Sequence, residues 1–167
     1  MQVTMDRKGD YSVRAMLDIA RHYGKGRRKA RQIASVMDIP ARYATQILAD
    51  LVRHDLLDAM AGPDGGYTLA RPPADITLLD VVDAVEGATT LDTCVLRGGP
   101  CDWTDACPIH VTWLKAQAAF VDTLAGVTFA ELVGVDAAIE AGTYEPEVPL
   151  HLTSTERRGI REKSPES

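Results

Sequence analysis

A mainly α-helical fold is predicted by the amphipathic segments that dominate this 167-residue chain. Two further observations refine it to a winged helix-turn-helix with a small β-hairpin wing and a long dimerisation helix. Two helical segments are separated only by Asp38–Ile39–Pro40, the spacing of a helix-turn-helix. Directly after them, two strand-like runs flank Gly62–Pro63–Asp64–Gly65–Gly66, as a hairpin requires.

Taken in order, Tyr11 to Tyr23 places Val13, Met16, Leu17, Ile19 and Ala20 at helical spacing, and Gly24–Lys25–Gly26 ends that helix. Ala30 to Met37 is a short helix with Ile33, Ala34 and Met37 turned inward. Pro40 pushes Ile39 out of the helical region and pre-sets the first turn of the next segment. Ala41 to His54 follows, with Tyr43, Ile47, Leu48, Leu51 and Val52 on one face. Leu56–Met60 and Tyr67–Leu69 are the hairpin strands. Ile76 to Glu86 is a helix capped by Thr77 and stopped by Gly87. Pro108 stands at the first position expected for a long helix to about Leu124, whose apolar face is Ile109, Trp113, Ala116, Ala119, Phe120 and Leu124. Thr128 with Glu131 is a capping box for a last short helix, Phe129 to Val133. From Gly142 onward Pro, Glu, Ser, Thr and Arg dominate, the composition of a disordered tail.

The boundaries expected are residues 1–71 for DNA binding, 72–133 for a cysteine loop and dimerisation helix, and 134–167 for the tail. Charge divides at the same place. Residues 1–71 carry 12 Lys and Arg against 8 Asp and Glu, a net +4; residues 72–167 carry 6 against 16, a net −10. A basic half joined to an acidic half suits a DNA-contacting module attached to a sensing one. No apolar run approaches the roughly 20 residues that span a bilayer, and Met1–Lys8 lacks the apolar core of a secretory signal. A cytoplasmic protein is expected, with no membrane partner and no small-molecule substrate.

All three cysteines fall within one 14-residue stretch, Cys94, Cys101 and Cys107, with His110 close behind. An odd number is a poor disulfide framework, whereas three thiolates and an imidazole suit zinc or an iron–sulfur cluster. The loop is rich in Gly, Pro and Asp, which disfavours three buried apolar cysteines. Trp103 within it could shield such a centre from water. On the helix-turn-helix, Arg42, Tyr43, Thr45 and Gln46 lie at the start of the second helix, where base edges are reached, and Gln46 suits adenine. Arg28, Lys29, Arg31 and Arg71 are expected at the phosphate backbone. His22, His54 and His151 have no cysteine neighbours in sequence and are read as surface residues.

The chain resembles the IscR/NsrR-type winged-helix regulators of the Rrf2 superfamily. The resemblance rests on Lys8–Gly9–Asp10–Tyr11, Ala15–Met16–Leu17–Asp18, the Gly62–Tyr67 turn, Ile76–Val82, the three cysteines and Thr128–Leu132, and covers about residues 1–133. It implies a bacterial homodimer on a double-stranded DNA operator, gated by an iron–sulfur cluster that senses iron–sulfur status, iron, redox state or nitric oxide. Cys94, Cys101 and Cys107 are then cluster ligands. His110 matches the fourth ligand of a 2Fe–2S cluster, the expected type. Asp10 matches a partner-donated aspartate of a 4Fe–4S cluster, although an aspartate there equally serves as the cap of a helix beginning at Tyr11. One departure concerns DNA: many members carry arginine just before the wing glycines, where this chain has Ala61.

Enzymatic chemistry is not expected. The glycines at 62–66 lie between strands and not ahead of a helix, no nucleophile–histidine or paired-carboxylate arrangement has catalytic spacing, and there is no Cys-x-x-Cys. Two other functions fit the cysteines. One is a structural zinc site in an interaction adaptor, and the other is a metal-free thiol switch.

Overall fold

The computed structural model describes residues 6–87 and 107–146. Its elements are α1 (Arg7–Arg21), α2 (Ala30–Val36), α3 (Ala41–Arg53), β1 (Leu57–Met60), β2 (Gly66–Leu69), a 3-10 turn at Pro73–Asp75, α4 (Leu78–Glu86), α5 (His110–Ala125) and α6 (Phe129–Glu140). The fold is the winged helix-turn-helix that the sequence predicts. The described residues divide into two compact units, one ending at Gly134 and one beginning at Val135.

In the first unit α1 packs on α3 and α4, and α2 packs on α3. Met16 and Ile19 of α1, Ile33 of α2, and Ile47, Leu48 and Leu51 of α3 are buried, with Leu56, Leu57, Ile76, Val81 and Phe129 closing the core. Each such side chain contributes roughly 1.5–3 kcal/mol relative to leaving it in water. The α2–α3 turn is tight because Asp38 takes a positive φ of 51° and the Ile39 N–H returns to the Ala34 carbonyl at 2.9 Å. β1 and β2 pair antiparallel, Leu57 opposite Leu69 and Met60 opposite Gly66.

Thr77 caps α4 as expected, its hydroxyl accepting from the Asp80 N–H while Asp80 accepts from the Thr77 N–H. Gly87 ends α4 at a φ of +91°. Thr77 also bridges to Thr128: the Leu78 N–H donates to the Val127 carbonyl and the Phe129 N–H to the Ile76 carbonyl, at 2.8 and 2.9 Å. The base of α6 is thereby pinned to the base of α4. At that base the Thr128 backbone N–H, and secondly its hydroxyl, hold the Glu131 carboxyl below the ordinary glutamate range.

Helix limits shift by a residue or two in several places, and three differences have a clear cause. α1 begins at Arg7 because Asp6, and not Asp10, is its cap, accepting from the Gly9 N–H at 2.8 Å. Pro108 lies in the turn before α5, which starts two residues later. α6 runs to Glu140, since Gly134 only weakens a helix (by about 1 kcal/mol) and the chain meets no stronger break before Gly142, at a φ of +67°. The expected tail from residue 147, and Cys94, Cys101 and Trp103 with the rest of 88–106, lie outside the described residues.

Candidate nucleic-acid interface and metal centre

Helical periodicity sorts α3 into two faces. Ala44, Ile47, Leu48 and Leu51 are buried, which leaves Arg42, Thr45, Gln46 and Ala49 exposed along the other side. Pro40 caps α3 without a side-chain acceptor and its first turn carries no acid, so the positive end of the helix remains available to an anion. The structure brings three of the four expected base-reading residues onto one accessible surface. Tyr43 is the exception. It is half-buried, with its ring centroid 5.8 Å from that of Tyr11, and the Arg42 guanidinium sits 4.9 Å above its ring. Tyr43 is a platform that orients Arg42, because its apolar ring gains more from packing on α1 than from solvent.

The basic run ahead of α2 is fastened to the wing by a single β-bridge. The Arg28 N–H donates to the Tyr67 carbonyl at 2.8 Å and the Tyr67 N–H returns to Arg28 at 2.9 Å. Gly66 makes this approach possible: a Cβ there would lie 2.6 Å from the Arg28 carbonyl oxygen, and its φ is +139°. Arg27 donates to the carbonyls of Asp58 and Gly66 at 3.2 and 3.4 Å. Lys29 Nζ donates to the carbonyls of Gly62, at 3.2 Å, and Pro63.

Arg28, expected at phosphate, is engaged in a buried ion pair. Its Nε and a terminal nitrogen grip both oxygens of Asp18 at 2.9 and 3.1 Å, with the Asp18 side chain fully buried and that of Arg28 only 16% exposed. Its low exposure and its pairing with Asp18 turn most of this guanidinium inward, away from a phosphate at the surface. Arg31 is exposed at the start of α2. Arg71 stands 3.9 Å from Asp80 beside an open cleft of about 480 Å³ lined also by His54, at the C-terminal end of α3. That end is about 18 Å along the helix from Arg42.

Of the expected metal ligands, Cys107 and His110 are described. Cys107 is half-buried in the turn before α5, and its carbonyl accepts the His110 N–H at 3.1 Å, so one tight turn joins the two. His110 is exposed. Asp10, the alternative ligand, forms an ion pair with Arg14 one turn along α1, at 3.0 Å. Among the described residues no three potential ligands converge, as follows when two of the three cysteines lie outside them. α5 buries no residue completely: Val111 and Phe120 are 59% and 43% exposed, and Ile109 just before it is 49% exposed. Trp113 is half-buried, and its indole N–H is buried without a hydrogen-bond partner among the described residues.

Two acids that hold the site together escaped the sequence reading. Asp18 sits among Ser12, Ala15, Met16 and Ile19 on the buried face of α1, and Asp50 among Ile47, Leu48 and Leu51 on that of α3. Asp50 receives Lys8 at 2.8 Å, and Lys8 also donates to the Val85 carbonyl at the end of α4. A carboxylate inside an apolar stripe is itself the signal, since it must be paired when buried.

The sequence matches the Rrf2 family, described as an iron-dependent transcriptional regulator, over residues 5–134. It is 34% identical over 133 residues to the HTH-type transcriptional regulator IscR of Sodalis glossinidius, covering 80% of each chain. Among solved structures it is similar to T. potens IscR, with a TM-score of 0.68, 28% identity, and coverage of 87% of this chain and 96% of that one. The B. subtilis global cysteine regulator CymR shares the fold at a TM-score of 0.68 and 24% identity, over 80% of this chain and 98% of that one.

Proposed function

For this chain, which belongs to the Rrf2 family of transcriptional regulators and is therefore not an enzyme, we propose the following: a homodimer that binds a double-stranded DNA operator under control of an iron–sulfur cluster. The observation that carries the DNA half is the exposed row Arg42, Thr45 and Gln46 at the uncapped start of α3, together with a wing held by the basic run. Side chains at the start of a recognition helix are those that reach base edges in the major groove. Dimer formation is supported by the exposed apolar residues Ile109, at the N-cap of α5, and Phe120 on it. Two recognition helices would then meet half-sites about 34 Å apart.

The donor set supports the sensing half. Three thiolates, Cys94, Cys101 and Cys107, fit an iron–sulfur cluster, and one oxygen or nitrogen donor completes it. His110 is the nearer fit in this chain, one turn from Cys107 and exposed, whereas Asp10 is already paired with Arg14. A 2Fe–2S cluster follows from the histidine, and a 4Fe–4S cluster from the aspartate. The cluster supplies redox-sensitive and iron-sensitive ligation when bound. Ligation ties Cys107, at the start of α5, to Cys94 and Cys101, so it bears on the helix that carries the dimer face.

Anaerobic isolation with iron, sulfide and zinc analysis and a visible spectrum tests this reading. The chain is expected to be brown, and Cys94→Ala, Cys101→Ala and Cys107→Ala are each expected to abolish the colour. His110→Ala is expected to weaken the cluster more than Asp10→Ala. The reverse order would assign the aspartate and the 4Fe–4S type. A colourless zinc protein, or a metal-free one whose DNA binding follows thiol oxidation, would replace the cluster by the zinc or thiol-switch reading.

A further inference from the structure

We infer that Lys29, supported by Arg27, supplies the positive charge with which the wing enters the minor groove beside each half-site. The inference rests on the reading that this chain binds double-stranded DNA, and it assigns a role to one residue within it. The hairpin from Leu57 to Leu69 contains no lysine or arginine, and it carries Asp58 and Asp64. Its tip residue Ala61 is exposed and uncharged. Alone, such a wing is repelled by a polyphosphate. A narrow, A·T-rich minor groove is the most negative part of the duplex surface and selects an inserted cation.

The structure corrects that charge from outside the hairpin. Lys29 stands at the cap of α2, and its ammonium lies on the wing tip, donating to the carbonyls of Gly62 and Pro63. The Gly62 carbonyl also accepts the Gly65 N–H at 3.1 Å, so the ammonium sits on the turn itself. An ammonium has three N–H donors, and two carbonyl bonds leave one to offer. Arg27 lays a second cation across the strands at Asp58 and Gly66. Backbone pairing of Arg28 with Tyr67 between them fixes the register that puts Lys29 at the tip and Arg27 at the strands. Held this way, Lys29 loses little further freedom when DNA arrives.

The test uses the full chain and a duplex that the wild type selects from a random pool. Affinities are measured over a range of salt for wild type, Lys29→Met and Lys29→Arg. Each is measured on three versions of the duplex, whose flanks beside the half-site are A·T, G·C or inosine·cytosine pairs. G·C adds an amino group to the minor groove, and inosine removes it while keeping the G·C acceptor pattern in the major groove. Wild type is expected to weaken on G·C flanks and recover on inosine·cytosine. Lys29→Met is expected to bind A·T-flanked DNA roughly tenfold more weakly near 0.1 M salt, to lose about one unit of salt slope, and to treat the three flanks alike. Lys29→Arg is expected to restore affinity and flank discrimination, and the urea midpoint of Lys29→Met to match wild type. Wild-type indifference to the flanks, or a Lys29→Met protein that keeps flank discrimination and salt slope, would overturn the inference. So would weaker binding that tracks a lowered midpoint with the salt slope intact, since Lys29 would then only brace the turn. If wild type selects no duplex at all, the DNA-binding reading itself fails and takes this inference with it.

Discussion

Replacing Arg28 by methionine separates a structural cation from a phosphate contact. The side chain of Asp18 has no exposure, and its two oxygens rest on the Arg28 guanidinium at 2.9 and 3.1 Å. Removing one member of a buried pair strands the other charge and costs about 3–5 kcal/mol. The lower end applies here, because Arg28 keeps 16% exposure and the His22 ring nitrogen stands 3.8 Å from Asp18. Against a domain stability of about 5–15 kcal/mol, a loss near 3 is large. With a urea dependence of about 2 kcal/mol/M it lowers the midpoint by roughly 1.5 M at fixed protein concentration. Converting both residues, as in Asp18→Leu with Arg28→Met, is expected to recover most of that loss, since a matched apolar pair leaves no stranded charge. The salt slope of DNA binding is expected to stay at the wild-type value. A midpoint shift below about 0.3 M together with a salt slope smaller by about one unit would refute the latch and return Arg28 to the phosphate backbone.

Two other outcomes follow from the geometry of the interface. Gly66→Ala places a Cβ 2.6 Å from the Arg28 carbonyl at a φ of +139°; it is expected to cost more than about 1 kcal/mol and to speed amide exchange at Arg28 and Tyr67, as hydrogen-exchange measurements would show. Gln46→Ala is expected to lose about 1–3 kcal/mol of binding and to relax base preference at one operator position, whereas Arg42→Ala, if it meets phosphate, weakens all sequences alike; selection from random DNA distinguishes the two.

The helices, the hairpin and the exposed face of α3 were legible because each is set by local periodicity and by punctuation at Pro40, Thr77 and Gly87. Long-range pairing of polar groups was not. Arg28 and Lys29 read as one basic run, yet one turns inward to Asp18 while the other reaches the Gly62 and Pro63 carbonyls. Nothing in their order separates those fates; the register of the bridge to Tyr67 does. Asp10 was misplaced as a cap for a related reason. The polar first turn Arg7–Gly9 carries no apolar signal, so the true cap, Asp6, lay one turn upstream of the readable stripe. Tyr43 was expected among the base-reading residues by spacing, but only the packing of α1 on α3 reveals Tyr11 beneath it.

The most direct measurement of the central claim is operator affinity for cluster-loaded and cluster-free protein at one salt concentration, on a duplex selected by the chain itself. In the proposed reading, ligation at Cys107 would bear on α5, α5 would carry the dimer face, and dimer geometry would set the spacing of the two α3 helices. The account predicts a difference of roughly 5- to 150-fold, the range of a coupling free energy of about 1–3 kcal/mol, with an equal shift of cluster stability when operator is bound. Equal affinities in the two states, across duplexes selected from either, would contradict it.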